Sequence, residues 1–269
     1  MRINKTMSDR NNIALPQGAA KAQSFHPRIC LKEKTGNFNP MPMIRALAVD
    51  IDGTLSDRYR VLCPAALQAM RRLKVPVVLS TGNTHCFTRT VSVLLGTPRI
   101  FIAENGGVLS HSEDEMEVLA DLKVCEDAFQ KLSDEFPLQR YNSSRYRFTD
   151  IALQRNFDVS AAGSRALELG LPVELIDTTF AVHIKDRRVD KGTGLRRIAE
   201  RMQIDLSEFA AIGDSNSDLP MFRPVGFRAC VGNASSELKQ ISDYVAKAEY
   251  GNGFAEIINH MIERRMLNY

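Results

Sequence analysis

Two aspartates one residue apart, Asp50 and Asp52, are the residues whose types and spacing are best suited to chemistry. They follow the apolar run 46–49 and precede Gly53, a residue that lets the chain turn sharply. Side chains at positions i and i+2 of an extended strand point to the same side, so both carboxylates would face one crevice. The pair predicts an aspartate nucleophile, an acid/base partner and a magnesium site, and therefore phosphoryl transfer. Ordinary turn chemistry is the alternative for an aspartate pair ahead of Gly-Thr.

A second acidic cluster lies in the segment 213–218, Gly-Asp-Ser-Asn-Ser-Asp, which follows another apolar run. Magnesium prefers oxygen ligands and usually binds one or two carboxylates together with waters and phosphate oxygens. We expect Asp214 to hold the ion with Asp50 and the main-chain carbonyl of Asp52, while Asp218 supports the site directly or through water. Taken alone, this loop fits the capped start of a helix equally well.

A lysine between the two acidic clusters is suited to offset their charge. Lys191 stands in the segment Asp-Lys-Gly at 190–192, where a helix is predicted to begin. A phosphate ester beside two aspartates needs a fixed positive charge, which Lys191 and the helix N-terminus would supply together. A solvated surface lysine is the alternative for such a residue considered by itself.

A short hydroxyl-rich turn, Ser80-Thr81-Gly82-Asn83, follows the predicted strand 76–80. A hydroxyl and exposed main-chain N–H groups at such a turn can bind a phosphate oxygen that is not transferred. We expect Thr81 and Gly82 to bind substrate and favour Thr81 over Ser80. Helix caps use the same residue types, so a capping role is the alternative.

Apolar periodicity predicts the elements that must position these groups. Residues Ala66, Ala69, Met70 and Leu73 fall on one face of a helix that begins at Pro64. A second helix is expected over about 83–95 and a third over the region of Leu195 to Met202. The predicted strands cover 45–50, 76–80, 99–103, 209–213, 227–231 and 243–246. This alternation predicts an α/β fold, a Rossmann-like parallel sheet flanked by helices, with the motifs at the carboxyl ends of its strands.

The alternation lapses between 108 and 186, where one amphipathic helix and several short, half-exposed strands are expected. We interpret this stretch as an inserted α+β module. The predicted domains are therefore a discontinuous core of 43–107 and 187–269 and an insertion of 108–186. Residues 1–42 are polar and rich in proline, and we expect them to be disordered, loosely attached or a non-native extension, with a natural start at Met41 or Met43.

Composition limits the class of protein. The net charge of +3 divides into +5 for residues 1–42, which hold seven Lys/Arg against Asp9 and Glu33, and −2 for the remainder. No basic stripe interleaved with aromatics marks a nucleic-acid surface, and no apolar stretch reaches the ~18 residues of a membrane span. Five scattered cysteines without a CxxC pair favour a cytoplasmic location. The oligomeric state is not decided by the sequence, and a homodimer stays open.

The four motifs, in this order, resemble the haloacid dehalogenase superfamily of phosphatases, over about residues 43–265. The long insertion resembles a C2-type cap, as in the Cof-like subfamily, and the segments 104–107 and 231–234 also match that branch. Residues 147–153, Arg-Phe-Thr-Asp-Ile-Ala-Leu, look like the archaeal-type phosphoglycolate phosphatases, whose substrate is 2-phosphoglycolate. One departure is the segment 226–231, which is bulkier and more basic than is usual in the family.

The resemblance implies a mechanism that agrees with the chemistry expected from the residues. Asp50 attacks phosphorus, Asp52 donates and later accepts a proton, and Mg²⁺ neutralises the transferring oxygens. The substrate is a small phosphorylated metabolite, and we name Arg147 for its carboxylate because Arg suits bidentate recognition. His183 and His85 have no ligand partners at metal spacing, so we expect surface or packing roles for them rather than catalysis. The alternatives are a phosphosugar or mannosyl-3-phosphoglycerate phosphatase and a non-catalytic phosphometabolite-binding protein.

Overall fold

The computed structural model describes residues 43–178 and 180–267. Its strands are β1 (Ala46–Asp50), β2 (Val77–Ser80), β3 (Phe101–Ala103), β4 (Val108–Ser110), β5 (Met116–Val118), β6 (Asp150–Leu153), β7 (Val173–Asp177), β8 (Val182–Asp186), β9 (Phe209–Gly213), β10 (Phe227–Cys230) and β11 (Tyr244–Val245). Its helices are α1 (Pro64–Met70), α2 (His85–Leu95), α3 (Leu122–Ser133), α4 (Val159–Glu168), α5 (Lys191–Met202), α6 (Leu219–Phe222), α7 (Ser236–Ile241) and α8 (Tyr250–Glu263). None of the helices in these segments is long and apolar enough to cross a membrane. The expectations for residues 1–42 lie outside the described residues.

The larger sheet has the strand order β11-β10-β9-β1-β2-β3-β4-β5. The strands from β11 to β3 are parallel, whereas β4 and β5 are antiparallel. Every residue of β1 is buried, as expected for an interior strand of a parallel sheet that is covered on both faces. Val49 of β1 pairs with Ile212 of β9, so Asp50 and Asp214 leave the sheet side by side.

Helices cover both faces of this sheet because alternate residues of each strand face opposite sides. Leu47 and Val49 of β1 belong to one apolar core with residues of α1 and α8. Ala46 and Ala48 belong to a second core with residues of α5 and α6. The α/β fold with a parallel sheet, predicted from the sequence, is confirmed.

The smaller sheet has the antiparallel order β6-β8-β7. Val182 and Ile184 of β8 pack with residues of α3 and α4 in a third apolar core. His183, which lies between them in the strand, faces the opposite side of the sheet. One face of the smaller sheet is therefore covered by helices, and its other face lines a cavity that is shared with the larger sheet.

The structure differs from the sequence interpretation over 108–118. These residues were expected in the inserted module, but they form β4 and β5 at the edge of the larger sheet. Asn105 and Gly106 both have positive φ, of 54° and 99°, and reverse the chain directly after β3. As a result, β4 returns antiparallel to β3, with Leu109 opposite Ile102. Periodicity did not distinguish the sheets because a short apolar strand has the same pattern in either of them.

Candidate active site

Asp50, the last residue of β1, lies at the floor of the cavity and is 5% exposed. Its Oδ1 accepts a hydrogen bond from Nζ of Lys191 at 2.6 Å. Its Oδ2 is buried and has no hydrogen-bond partner among the described residues. Gly53 has φ +87°, and a Cβ there would lie 2.3 Å from Oδ2 of Asp214. Glycine is therefore required where the chain turns away beside the second acidic loop.

Asp218 organises the loop that follows β9. Its Oδ2 accepts hydrogen bonds from the main-chain N–H groups of Asp214 and Ser215, each at 3.0 Å. Its Oδ1 accepts from Nζ of Lys191 at 2.5 Å. The hydroxyl of Thr54 donates to Oδ1 of Asp214 at 3.2 Å. The loop does begin a helical turn with a capping box, but Asp218 of that box also binds Lys191 and lies close to Asp50.

Lys191 opens α5 and is buried between two carboxylates. Asp190 caps this helix by accepting a hydrogen bond from the main-chain N–H of Thr193 at 2.6 Å. Burial alone would lower the pKa of the Lys191 ammonium group, but Asp218 and Asp50 raise it above its ordinary value. Lys191 is therefore a fixed positive charge beside Asp50, not a solvated surface residue.

Three carboxylates meet beside this one ammonium group. Asp50, Asp214 and Asp218 each offer an oxygen atom, and these atoms lie within 4.8 Å of one another. Burial, together with the charges of Asp218 and Asp214, raises the pKa of Asp50 well above its ordinary value despite the opposing effect of Lys191. Burial and Asp218 raise the pKa of Asp214 to about 7. A divalent cation would relieve this repulsion, and Oδ2 of Asp50 is free to bind it, so the cluster fits a metal with oxygen ligands.

Thr81 and Gly82 lie at the end of β2 and line the same cavity as Asp50. The main-chain N–H of Asn83 donates to Oγ1 of Thr81 at 3.1 Å, which orders this turn. Ser80 pairs with Asp50 across the strands but is fully buried and does not line the cavity. Both residues are buried, but Thr81, and not Ser80, forms part of the cavity wall.

Asp52 also lines the cavity, and two side chains hold its carboxylate. Nε of Arg60 donates to Oδ1 at 2.9 Å, and Nδ2 of Asn83 donates to Oδ2 at 2.5 Å. Arg60 also donates to Oδ1 of Asn83 at 2.9 Å. Its guanidinium lies over the rings of Phe87, which is in α2, and of Phe180, which follows β7. Arg60 thus connects the proposed acid/base to both sheets.

Arg147 reaches the cavity, but most of its donors are engaged. Its Nη1 and Nη2 donate to the main-chain oxygen of Gly82 at 3.1 and 3.0 Å. Nη1 also donates to Oδ1 of Asp150 at 2.6 Å. Oδ2 of Asp150 lies 3.1 Å from Nδ1 of His183. These contacts form one chain from the Thr81-Gly82 turn to the smaller sheet, and the carboxylate-binding role of Arg147 stays a prediction.

Sequence reasoning missed Arg60, Asn83 as a partner of Asp52, and the Asp150–His183 pair. Asn83 could have been predicted as a site residue from the sequence, because it directly follows the Thr81-Gly82 turn. No sequence pattern distinguished Arg60, since it is one of several charged residues in a polar loop. For His183 the sequence offered only its position between the apolar residues Val182 and Ile184. This alternation places it on the face of the strand opposite the helices.

One cavity of about 660 Å³ is lined by Asp50, Asp52, Thr81, Gly82, Lys191 and Asp214. Its floor is the carboxyl end of the larger sheet, where Asp50, Thr81 and Lys191 lie, and its wall includes residues of the smaller sheet such as Ile176 and His183. Carboxylate, ammonium, hydroxyl and main-chain N–H groups therefore converge as covalent transfer of a phosphoryl group requires.

Comparison with known proteins defines the class of the molecule. The family model for haloacid dehalogenase-like hydrolases matches residues 47–162 and 176–258. The chain belongs to this family and is a phosphoric monoester hydrolase. It is 55% identical over 219 residues to a phosphoglycolate phosphatase of Methanothrix thermoacetophila, with 81% of this chain and 97% of that protein covered. It is 41% identical over 218 residues to a phosphoglycolate phosphatase of Archaeoglobus fulgidus, with coverage of 81% and 96%.

Solved structures agree on the fold. A Thermoplasma acidophilum protein superposes with a TM-score of 0.76 at 25% identity and covers 84% of this chain and 100% of its own. The sucrose-phosphatase of Synechocystis superposes with a TM-score of 0.63 at 19% identity, over 82% of this chain and 99% of its own. The family resemblance inferred from the four motifs is therefore confirmed.

Proposed function

We propose that this protein hydrolyses 2-phosphoglycolate to glycolate and phosphate through a phosphorylated Asp50. The observation that carries the proposal is the buried contact of Lys191 with both Asp50 and Asp218 at the floor of the cavity. The names of the two relatives above, at 55% and 41% identity, support the choice of substrate.

The residues of the chain divide the reaction into two displacements. A carboxylate oxygen of Asp50 forms a bond to phosphorus as the bond from phosphorus to the glycolate oxygen breaks. Asp52 gives its proton to the leaving alkoxide, and as a carboxylate it then takes a proton from a water molecule. The oxygen of that water forms a bond to phosphorus as the bond from phosphorus to Asp50 breaks, which releases phosphate. Thr81 and the main-chain N–H of Gly82 bind oxygens that are not transferred, and Lys191 offsets the charge of Asp50 and the phosphate.

We propose Mg²⁺ as the ion for the acidic cluster. Asp50, Asp214 and the main-chain carbonyl of Asp52 would hold it, with Asp218 binding directly or through water. When bound, the ion would neutralise charge on the phosphoryl oxygens and align the group with Asp50.

We further propose that the smaller sheet and its helices act as a C2-type cap on a discontinuous core. The core would comprise 43–118 and 187–269, and the segment 119–186 would be inserted between them. Support comes from the cavity wall, to which β7 and β8 contribute residues opposite Asp50. We also propose a cytoplasmic location, which the free Cys63, Cys86, Cys125 and Cys230 support.

A panel of phosphate esters, assayed with and without Mg²⁺, tests the proposal. We expect the highest kcat/KM for 2-phosphoglycolate and no turnover after chelation of the metal. The panel includes phosphosugars and mannosyl-3-phosphoglycerate, because a cavity of about 660 Å³ has room for larger esters. A clear preference for a phosphosugar would show that 2-phosphoglycolate is not the main substrate. Absence of turnover on every ester would favour a non-catalytic binding protein.

A further inference from the structure

Resting on the proposed function, we propose that His183 binds the carboxylate of the substrate. In this arrangement both ring nitrogens of His183 act as hydrogen-bond donors. Its Nδ1–H donates to Asp150, and its Nε2–H donates to the carboxylate of the substrate. Asp150 is then a positioning residue that orients the ring from behind.

The position of His183 in β8 directs it toward the cavity. Its neighbours in the strand, Val182 and Ile184, are fully buried against α3 and α4. His183 lies on the opposite face, where it lines the cavity that also contains Asp50 and Lys191. The residue as a whole is only 4% exposed, so a partner bound there would be shielded from water.

Asp150 fixes the orientation of the ring. Its Oδ2 lies 3.1 Å from Nδ1 of His183, and its Oδ1 accepts the hydrogen bond of Arg147. Asp150 is 1% exposed and does not itself line the cavity, so it lies behind the histidine. No described residue is hydrogen-bonded to Nε2 of His183. That nitrogen remains available as a second donor, because an imidazolium donates from both ring nitrogens.

Most polar atoms of the other charged groups on this wall are already paired. The Nη atoms of Arg147 bind Asp150 and the main-chain oxygen of Gly82, and its Nε is buried without a partner among the described residues. Glu174 and Asp177 carry the wrong sign for a carboxylate and pair with Lys185 and Arg155. Among the described residues of the smaller sheet that line the cavity, His183 therefore has a ring nitrogen left for a ligand.

One chain of hydrogen bonds connects the two ends of the proposed site. It runs from the main-chain oxygen of Gly82 through Arg147 and Asp150 to His183. The phosphate would bind at the Thr81-Gly82 turn and the carboxylate at His183. Selectivity for a short phosphorylated carboxylic acid follows, because the same network orients the groups that bind both of its charged ends.

The test compares ligands that differ in the carboxylate. Full-length wild-type and His183→Gln proteins, saturated with Mg²⁺, are assayed on 2-phosphoglycolate and on ethyl phosphate, which lacks the carboxylate. We expect the variant to lose about 10- to 100-fold in kcat/KM on 2-phosphoglycolate, mainly through KM. Its kcat/KM on ethyl phosphate should change by less than about twofold. His111→Gln is the matched control, since His111 also pairs with a carboxylate, Glu117, but lies outside the cavity.

Inhibition provides a second measurement that does not depend on turnover. 3-Phosphonopropionate keeps the carboxylate of the substrate, and propylphosphonate lacks it. His183→Gln should weaken inhibition by the first compound about 10-fold or more and leave inhibition by the second unchanged. Equal losses for both compounds, or unchanged inhibition by 3-phosphonopropionate, would overturn the role of His183. Failure of the wild-type protein to prefer 2-phosphoglycolate over ethyl phosphate would instead overturn the proposed function.

Discussion

At the scale of single residues, Asp50 combines two demands that oppose each other. A nucleophile must be available as a carboxylate, yet burial raises the pKa of Asp50 well above its ordinary value. The Lys191 ammonium group, 2.6 Å away, offsets part of this cost. A bound cation would offset the rest of this cost. The ionisation of Asp50 therefore depends on both Lys191 and the cation.

Asp50→Asn should therefore abolish turnover without loss of the fold. We expect kcat to fall by more than about 1,000-fold, because the amide is not a nucleophile. A raised pKa means that ionisation of Asp50 destabilises the metal-free folded state at neutral pH, so the neutral amide should leave that state as stable as wild type or more so. Urea unfolding in EDTA measures this.

Lys191→Met should lower the stability of the fold, in contrast to Asp50→Asn. Removal of the buried ammonium leaves Asp50 and Asp218 without their cation, which typically costs about 3–5 kcal/mol of the free energy of unfolding. Equal stability of the two variants in EDTA would contradict the charge balance described here.

Arg60 should position Asp52 for proton transfer. Arg60→Gln removes the 2.9 Å contact with Oδ1 of Asp52, so alkyl esters, whose leaving groups need a proton, should lose roughly 100-fold in kcat. p-Nitrophenolate leaves without a proton, and its release in the first turnover should be nearly unchanged. Rapid-mixing assays on both esters test this split. Arg58→Gln is the control, since Arg58 stacks on Tyr59 and does not line the cavity.

At the scale of elements, the sequence was most informative where a local rule applies. Buried strands that end in polar residues predicted the adjacent positions of Asp50, Thr81 and Asp214, because parallel strands bring their carboxyl ends to one edge. Contacts between distant segments were not predicted. Arg60 reaches Phe180 and Asp52 through side-chain packing that leaves no periodic pattern in either segment.

Glu104 joins the end of β3 to the segment that leads into β6. Its Oε2 accepts hydrogen bonds from the main-chain N–H groups of Phe148 and Thr149 and from the Thr149 hydroxyl, all at 2.9 Å. Its Oε1 is buried without a partner among the described residues. Burial, and then the charge of Asp150, raises the pKa of Glu104 to about 7.

This pKa predicts how the connection responds to pH. Because the folded state holds the proton more tightly than the unfolded chain, the contribution of Glu104 is complete below about pH 4.5 and is lost as the pH rises through about 7. The loss should approach about 3 kcal/mol. Glu104→Gln should remove this part of the pH dependence. Urea unfolding at pH 5 and pH 8, with Mg²⁺ saturating, measures it, and identical pH differences in both proteins would disprove it.

At the scale of the whole molecule, the acidic cluster joins parts of the chain that are far apart in sequence. Asp50 comes from β1, near the beginning of the described residues, whereas Asp214 and Asp218 follow β9. The intervening chain includes the smaller sheet and the segments that connect the two sheets. A ligand that binds all three carboxylates therefore binds only the folded arrangement, and its binding energy adds to the stability of the fold.

Mg²⁺ should consequently raise the melting temperature of the protein. A metal at 100 times its Kd adds about 2.7 kcal/mol, which for a protein of this size corresponds to roughly 5 to 10 °C. The rise should be larger at pH 8 than at pH 6, because the pKa of Asp214 is about 7 and the metal binds its ionised form.

Asp214→Asn should abolish most of the rise and its pH dependence, whereas Asp127→Asn, at an exposed position of α3, should retain both. Differential scanning fluorimetry with Mg²⁺ or EDTA measures these shifts, and an equal rise in the Asp214 variant would place the metal elsewhere.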